Sequence, residues 1–289
     1  MFVIETLLVD NGSLAPAATL QLRALCRALG KTIGVEVTPV SLLHSTGVST
    51  PALGDVSAEI LEPALELRLM QGKTDFIIVP LFFGASAAIT EYMPARVGHL
   101  RKTYSDLNVK LAPVIFQKDD DRLARILADQ VRAVLREDTS SVALLDHGSP
   151  LKAVTEVRDL LAEQLQKLLG PNFKVAAASM ERREGAEYDF CEPTLANLLR
   201  KPEWNSGDVI VAMQFLLPGR HAGAGGDVAD ICNEAEIASG GKLRAHLTGL
   251  VAEHPLLVQI LADRWRRGIA MGPGSAMLLE GIVASRFFC

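Results

Sequence analysis

Two of the six histidines in this chain, His147 and His221, lie in contexts that favour chemistry. His147 follows the apolar run "SVALLD" (141–146) and precedes a Gly-Ser pair and a stretch with helical spacing. His221 lies in "LLPGRHAGAGGD" (216–227), after another apolar run that a Pro-Gly pair interrupts. Both therefore fall at the carboxyl ends of predicted strands, where open α/β sheets bind ligands. Because a neutral imidazole is a common metal ligand and also transfers protons, the pair predicts a metal or proton-transfer site. The remaining histidines are interpreted as ordinary surface or core residues: His44, His99, His246 and His254.

Two oxygen-bearing side chains accompany these histidines. Glu192 opens "EPTLANLL" (192–199) just before a predicted helix. A carboxylate there serves either as a ligand and proton acceptor or simply as an acid favoured at a helix start. Ser149 follows the His147 turn, but no Ser-His-Asp triad can be assembled around it. We therefore interpret Ser149 as a helix cap or as a hydrogen-bond donor to a substrate carboxylate.

Three arginines lie near the same predicted sheet edge. Arg182 and Arg183 end a strand in "MERRE", and Arg220 adjoins His221. They form either a solvated charge run or a cationic rim that binds carboxylates, since guanidinium groups hold carboxylates in bidentate pairs. Gly225, in "GAGGD", would let a flat ligand approach the backbone. That stretch lacks the G-x-G-x-x-G and G-K-[ST] spacings of phosphate loops, so no nucleotide is expected.

The elements that position these residues alternate between strands and helices. Apolar, β-branched runs predict eight strands: "FVIETLLV", "IGVEVTPV", "DFIIVPLFF", "VKLAPVIF", "SVALLDHG", "FKVAAASM", "DVIVAMQFLL" and "LRAHLTGLV". Between them lie stretches with helical periodicity, of which the clearest spans 150–170 and ends at Gly170. This alternation predicts an α/β fold with mostly parallel sheets and helices on both faces.

The chain also repeats itself. "DNGS" at 10–13 returns as "DHGS" at 146–149, "LEPALELRL" returns as "CEPTLANLL", and "ILAD" occurs twice. Three separated matches at a nearly constant offset predict two similar domains, which we place at 1–138 and 139–289. The first copy has Asn11 and Ala88 where the second has His147 and His221, although it keeps an acid as Glu62. The chemistry is therefore expected in the second domain.

Composition excludes several classes. The net charge of −5 argues against a nucleic-acid partner, and no apolar run approaches the length of a membrane span. The four cysteines form no dense framework, and the first residues lack a basic signal-peptide region, so a reduced cytoplasmic setting is expected. The sequence leaves a homo-oligomer open.

Four stretches of the second half resemble the sirohydrochlorin cobaltochelatase and ferrochelatase family, the class II tetrapyrrole chelatases. They are "LLDHGSP", "FCEPTLANLL", "FLLPGRHAGAGGDVADIC" and "GLVAEHPLLVQILADR". The first half is family-like in "VPLFFGASAAITEYMP" and "LAPVIFQKDDDRLARILAD". The resemblance implies two chelatase-like domains, each with a mostly parallel four-stranded sheet flanked by helices, facing across a cleft. It assigns the family's metal-binding histidines to His147 and His221 and the acid of its E-P motif to Glu192.

The resemblance implies ATP-independent insertion of a divalent metal substrate (cobalt, iron or nickel) into sirohydrochlorin or a related tetrapyrrole, as in siroheme or cobalamin biosynthesis. His147 and His221 would hold the metal and accept protons, with Glu192 assisting and the arginines binding substrate carboxylates. One alternative is a two-lobed carrier or sensor that binds a tetrapyrrole or metal without turnover. Another is a metal-dependent hydrolase, although the additional ligands of a two-metal site are missing.

Overall fold

The computed structural model describes residues 4–137, 139–223 and 225–271. Within them, eight strands form two separate four-stranded parallel sheets. The first sheet has the order β2-β1-β3-β4 and comprises β1 (Glu5–Asp10), β2 (Val37–Ser41), β3 (Asp75–Pro80) and β4 (Asn108–Leu111). The second has the order β6-β5-β7-β8 and comprises β5 (Ser141–Asp146), β6 (Lys174–Ser179), β7 (Gly207–Met213) and β8 (Leu243–Leu247). The predicted strands and the α/β class are therefore confirmed.

Eight α-helices accompany the sheets in the described part of the chain. They are α1 (Pro16–Ile33), α2 (Leu61–Met70), α3 (Met93–Arg101), α4 (Arg122–Ala133), α5 (Lys152–Leu169), α6 (Leu195–Leu199), α7 (Asp227–Ala238) and α8 (Leu256–Ala270). The helix predicted at 150–170 is α5, which ends at Gly170 as expected. None of the described helices combines the length and the apolar character needed to cross a membrane.

The compact units differ from the predicted division at 138/139. One unit contains the described residues up to Ile115 together with those from Val258 to Met271, and the other lies within Phe116–Leu257. The last helix of each sequence copy thus joins the other copy's sheet. In the first unit, the Arg264 guanidinium of α8 is fully buried and donates to the Ile115 carbonyl at 2.8 Å. Sequence repeats identify copies, but they do not indicate on which sheet a helix packs.

In the second unit, two side-chain hydrogen bonds and a buried apolar face hold α4 in place. Gln130 donates from its amide nitrogen to the Leu250 carbonyl at 2.7 Å, and Arg132 donates to the Leu168 carbonyl at 3.0 Å. The apolar face of α4, including Leu127, is fully buried. Burial of this face and the two hydrogen bonds account for the position of α4 beside α5.

The two units repeat one backbone turn in detail. The first strand of each sheet, β1 or β5, ends in a buried aspartate and is followed by a glycine with positive φ, Gly12 (87°) or Gly148 (92°). A Cβ at either glycine would collide with a backbone carbonyl, Leu43 in one unit and Glu181 in the other. Glycine is therefore required at both turns, and the residue between aspartate and glycine occupies the same place in both.

The burial of the aspartate in the first unit is only partly compensated. Asp10 is buried, and its Oδ1 has no hydrogen-bond partner among the described residues. Burial raises the pKa of Asp10, and the hydrogen bonds from Ser41 and the Gly12 amide only partly oppose that effect. An acid whose pKa is higher in the folded state destabilises the fold as the pH rises above the ordinary aspartate value of about 3.9.

We expect Asp10→Asn to raise the free energy of unfolding at pH 7.5 by about 1 kcal/mol, because it removes an incompletely paired buried charge. The gain should shrink as the pH falls towards 4, where the wild-type carboxyl takes up a proton. Urea unfolding of both proteins across this range measures the difference. Asp106→Asn, at an exposed position, is the control and should change little at any pH. A loss of stability for Asp10→Asn at pH 7.5 would contradict the assignment.

Candidate functional site

The second sheet brings the two singled-out imidazoles together. His147 directly follows β5, and His221 lies in the loop between β7 and α7. Strands β5 and β7 are parallel neighbours, with Leu145 paired to Met213, so their carboxyl ends share one edge. The ring centroids of His147 and His221 lie 4.7 Å apart, with an angle of 76° between the ring planes. The expected meeting of these two rings is therefore present in the structure.

Hydrogen bonds on the Nδ1 atoms orient both rings. His147 Nδ1 lies 3.1 Å from the Gly148 carbonyl oxygen, and His221 Nδ1 lies 2.6 Å from Asp227 Oδ2. Because a carbonyl or carboxylate oxygen accepts only, Nδ1 carries the proton in each neutral ring. The lone pair of Nε2 is then available in both rings, which is the state required of a metal ligand.

The loop that carries His221 depends on a close backbone approach. The Val228 amide at the start of α7 donates to the His221 carbonyl at 3.2 Å. A Cβ at Gly226 would lie only 2.9 Å from that carbonyl oxygen and 2.8 Å from the Arg220 carbonyl oxygen. Gly226 therefore allows the loop to fold onto the helix start. Gly225, the glycine singled out from sequence, is exposed and has a φ of 71°.

Two acids lie beside the imidazoles that were not predicted as site residues from the sequence. Asp227 accepts from His221, and Glu181 Oε1 lies 3.8 Å from His147 Nε2. The Glu181 amide also donates to the His147 carbonyl at 3.2 Å. Both acids lie in stretches that were interpreted through other residues: Asp227 ends the glycine-rich "GAGGD", and Glu181 precedes the two arginines of "MERRE". A signal existed for Asp227, since an acid at a helix start follows the histidine loop.

Glu192 has its carboxylate engaged by other groups. It accepts from the Thr194 amide at 3.0 Å, from Asn197 Nδ2 at 3.1 Å and from Arg182 at 3.3 Å. Partial burial opposes ionisation, but these hydrogen bonds outweigh it, so the pKa of Glu192 lies below its ordinary value. The carboxylate is therefore ionised at neutral pH. Among the described residues, no group of three or more histidine, cysteine or acidic side chains is arranged to hold a metal ion. The described part of the chain therefore offers the two imidazoles no histidine, cysteine or acid as a third ligand in this arrangement.

The predicted arginines occupy three different environments. Arg182 forms an ion pair with Asp189 at 2.8 Å as well as with Glu192, so its charge is used within the protein. Arg183 is exposed, with its guanidinium 5.9 Å from the centre of the Tyr188 ring. Arg220 is the most accessible of the three, with 84% of its side chain exposed.

Ser149 has a local structural role in this conformation. Its Oγ accepts from the Leu151 amide at 3.1 Å, immediately before α5. Its carbonyl oxygen accepts from the Cys191 thiol at 3.2 Å, which joins the turn to the segment before Glu192. The N-cap of α5 is Leu151 and no side chain caps the helix, so the interpretation of Ser149 as a helix cap is wrong; its Oγ instead closes the turn that precedes the N-cap.

The first unit has the same turn but different side chains. Asn11 takes the place of His147, and its carbonyl oxygen accepts from the Leu43 amide at 3.1 Å. Ala88 begins a short π-helix, Ala88–Tyr92. Glu62 is paired with Arg96 at 3.4 Å, and it borders a cavity of about 300 Å³. This unit therefore offers an acid but no imidazole pair at the corresponding sheet edge.

The comparisons with known proteins agree with this architecture. Residues 5–134 match the family model described as CbiX. SirB from Bacillus subtilis with Fe3+ gives a TM-score of 0.70 at 16% identity, covering 93% of this chain and 96% of SirB. CbiX, described as the terminal enzyme for biosynthesis of siroheme in denitrifying bacteria, gives 0.56 at 16% identity, covering 93% and 100%. DR2241 from Deinococcus radiodurans gives 0.58 at 19% identity, covering 92% of this chain and 55% of DR2241. No curated protein sequence matches.

The family model matches residues 5–134, which is less than half of the chain, and the solved structures share the fold, so the chain is similar to CbiX over those residues and to SirB and CbiX in fold. The match lies on the half that has Asn11 and Ala88. The imidazole pair lies outside the matched residues, in the second copy.

The hydrogen bond from His221 to Asp227 predicts a single tautomer. We expect long-range ¹H–¹⁵N NMR spectra at alkaline pH to show His221 protonated on Nδ1 and unprotonated on Nε2. Asp227→Ala should convert this to a mixture of tautomers, because the acceptor is lost. Asp230→Ala, which removes an exposed acid from the first turn of the same helix, should leave the His221 signals unchanged. A wild-type His221 protonated on Nε2 would show that the assigned hydrogen bond is wrong.

Proposed function

We propose that this protein inserts a divalent metal ion into sirohydrochlorin or a related tetrapyrrole without ATP. The observation that carries the proposal is the imidazole pair, with ring centroids 4.7 Å apart and both Nδ1 atoms occupied by hydrogen bonds. Support comes from the CbiX family model that matches residues 5–134 and from the fold shared with SirB and CbiX. Cobalt(II) and iron(II) are the proposed substrates, and nickel(II) is a third candidate because imidazole accepts several first-row ions.

The reaction must remove water from the ion and two N–H protons from the macrocycle. The Nε2 atoms of His147 and His221 would bind the incoming ion and leave its other positions open to the pyrrole nitrogens. As the ion moves to the macrocycle, each imidazole becomes free to accept one pyrrole proton. Asp227 and Glu181 would then stabilise the imidazolium ions, since each carboxylate lies beside one ring. The two protons lost by the tetrapyrrole are thus accounted for by two named nitrogens.

Glu192 and the arginines take supporting roles in this proposal. Glu192 is held ionised beside the turn by Arg182 and Asn197, and it would contribute negative charge that attracts the cation. Arg183 and Arg220 are exposed and would bind the substrate's carboxylates, although Arg220 Nε also lies 3.6 Å from Asp227 Oδ2, whereas the less exposed Arg182 is paired with two acids. Ser149 and Gly225 complete the proposed substrate contacts as loop residues near the same edge.

A reducing compartment suits this chemistry, and we propose a cytoplasmic location. Of the described cysteines, Cys26, Cys191 and Cys232 are buried free thiols. Iron(II) and cobalt(II) also keep their oxidation state more easily where thiols remain reduced.

We expect His147→Ala and His221→Ala each to lower the insertion rate by about 100-fold or more, because each removes a ligand and a proton acceptor. The assay is anaerobic incubation with sirohydrochlorin and cobalt(II), iron(II) or nickel(II), followed by absorbance. His246→Ala is the matched control: His246 forms the same kind of pair, 2.7 Å from Asp208, at the start of β7. That variant should keep the wild-type rate.

Two results would overturn parts of this proposal. If wild type binds the tetrapyrrole but does not exceed the uncatalysed rate with any of the three metals, the protein is a carrier or sensor. If both alanine variants keep the full rate, the imidazole pair is not the site.

We expect Arg220→Ala to raise the KM for the tetrapyrrole by about tenfold with little change in kcat, because a charged hydrogen bond to a carboxylate is lost. Arg200→Ala, at another exposed arginine of the same unit, is the control. Steady-state kinetics with varied tetrapyrrole separate the two parameters. An unchanged KM would remove Arg220 from the binding site.

A further inference from the structure

A buried cation lies behind the imidazole site. Arg158 of α5 is only 2% exposed, although a buried guanidinium is costly unless its donors are satisfied. Its donors reach Ser179 Oγ at 2.6 Å, the Cys191 carbonyl at 3.3 Å and the Phe190 carbonyl at 3.3 Å. It also pairs with the neighbouring Asp159 at 2.7 Å. Arg158 thus joins the end of β6 to the segment that precedes Glu192.

One branch of these contacts leads to the His147 turn. The Ser179 hydroxyl donates to Asp146 Oδ1 at 2.7 Å, and the same oxygen accepts from the Gly148 amide at 3.1 Å. Asp146 and Gly148 flank His147 in the sequence. The conformation of the turn, and hence the direction of its ring, therefore depends on a chain of hydrogen bonds that starts at Arg158.

The other branch leads to Glu192. Arg158 holds the two carbonyl groups that immediately precede this residue, those of Phe190 and Cys191. The Cys191 thiol in turn donates to the Ser149 carbonyl at 3.2 Å, which closes the segment onto the His147 turn. One guanidinium therefore fixes both the turn of an imidazole and the segment of the nearby acid.

The first unit lacks this arrangement and provides a comparison. Helices α1 and α5 have equal length and follow "DNGS" and "DHGS" at the same spacing, which places Leu22 opposite Arg158. Leu22 is buried, and Asp10 keeps one unpartnered oxygen even though it accepts a hydrogen bond from Ser41, its partner in the strand register. A buried cation at this helix position therefore occurs in the copy with the imidazole pair and not in the copy without it.

We propose that Arg158 is a positioning residue that holds the His147 turn and the Glu192 segment in the geometry needed for metal binding and transfer. It acts through Ser179 and Asp146 on one side and through the 190–191 carbonyls on the other, without touching metal or substrate. The proposal rests on the proposed function for its catalytic consequence. Its structural consequence, the orientation of His147, can be measured without any reaction.

The test uses three variants of the full chain and cobalt(II) alone as the first probe. Arg158→Leu introduces the residue that the first unit has at this position. Ser179→Ala removes the hydrogen bond to Asp146 and keeps the guanidinium of Arg158. Ser41→Ala is the matched control at the corresponding register position of the first sheet. We expect Arg158→Leu and Ser179→Ala to weaken cobalt(II) binding by about tenfold, the lower end of the effect of an outer-shell partner. Ser41→Ala should bind cobalt(II) as wild type does.

Two further measurements distinguish positioning from a general loss of stability. The His147 NMR signals should shift in Arg158→Leu and Ser179→Ala, whereas those of His246 should not. In the insertion assay, kcat should fall at an unchanged KM for the tetrapyrrole, and Arg158→Lys should recover part of the rate. If Arg158→Leu does not fold, Ser179→Ala alone decides the question.

The outcomes separate the two proposals. Wild-type cobalt(II) affinity and unshifted His147 signals in folded Ser179→Ala would overturn the positioning role, whatever the enzyme activity. If wild type inserts no metal but Ser179→Ala still weakens cobalt(II) binding and shifts His147, the proposed enzyme function fails while the positioning role stands. Equal losses in Ser41→Ala and Ser179→Ala would also overturn it, because the effect would not belong to this network.

Discussion

The closeness of the two imidazole rings, whose centroids lie 4.7 Å apart, depends on the position of β5 and β7 as parallel neighbours in one sheet. Parallel pairing places the carboxyl ends of both strands at the same edge, so residues distant in the chain meet there. The side-chain environment then completes the arrangement. An acceptor on each Nδ1 orients each ring and leaves Nε2 unprotonated. Without the strand order β6-β5-β7-β8, neither ring would have the other as a neighbour.

Duplication explains why the same backbone occurs twice with different chemistry. The turn after β1 and the turn after β5 share a buried aspartate, a glycine with positive φ and an amide bonded to the intervening carbonyl. The backbone requirement is therefore independent of the residue between aspartate and glycine. Asn11 satisfies it in one copy and His147 in the other, so the fold accepts either residue at this turn.

The buried charges differ between the copies, and the copy with the imidazole pair is the one with a buried arginine behind its turn. In the second unit, Asp146 accepts a hydrogen bond from the Ser179 hydroxyl, which in turn accepts one from Arg158. Burial nevertheless raises the pKa of Asp146. In the first unit, a leucine replaces the cation and the corresponding aspartate keeps an unpartnered oxygen. A buried cation is expensive, so its presence behind the imidazole turn requires a benefit there. The benefit that we propose is a rigid turn, because an imidazole that is to bind a metal must keep its direction.

Much of this protein could be predicted from its sequence, because the relevant signals are local. Apolar runs located all eight strands, the spacing in 150–170 located α5, and strand-end placement singled out His147 and His221. The partners of those residues could not be predicted in the same way. The pairing of Glu192 with Arg182, the approach of Glu181 to His147 and the packing of α4 and α8 on the other copy's sheet all arise from contacts between separate segments. Hydrophobic periodicity reports which face of an element is buried, but it does not say against which neighbour, and only tertiary packing decides that.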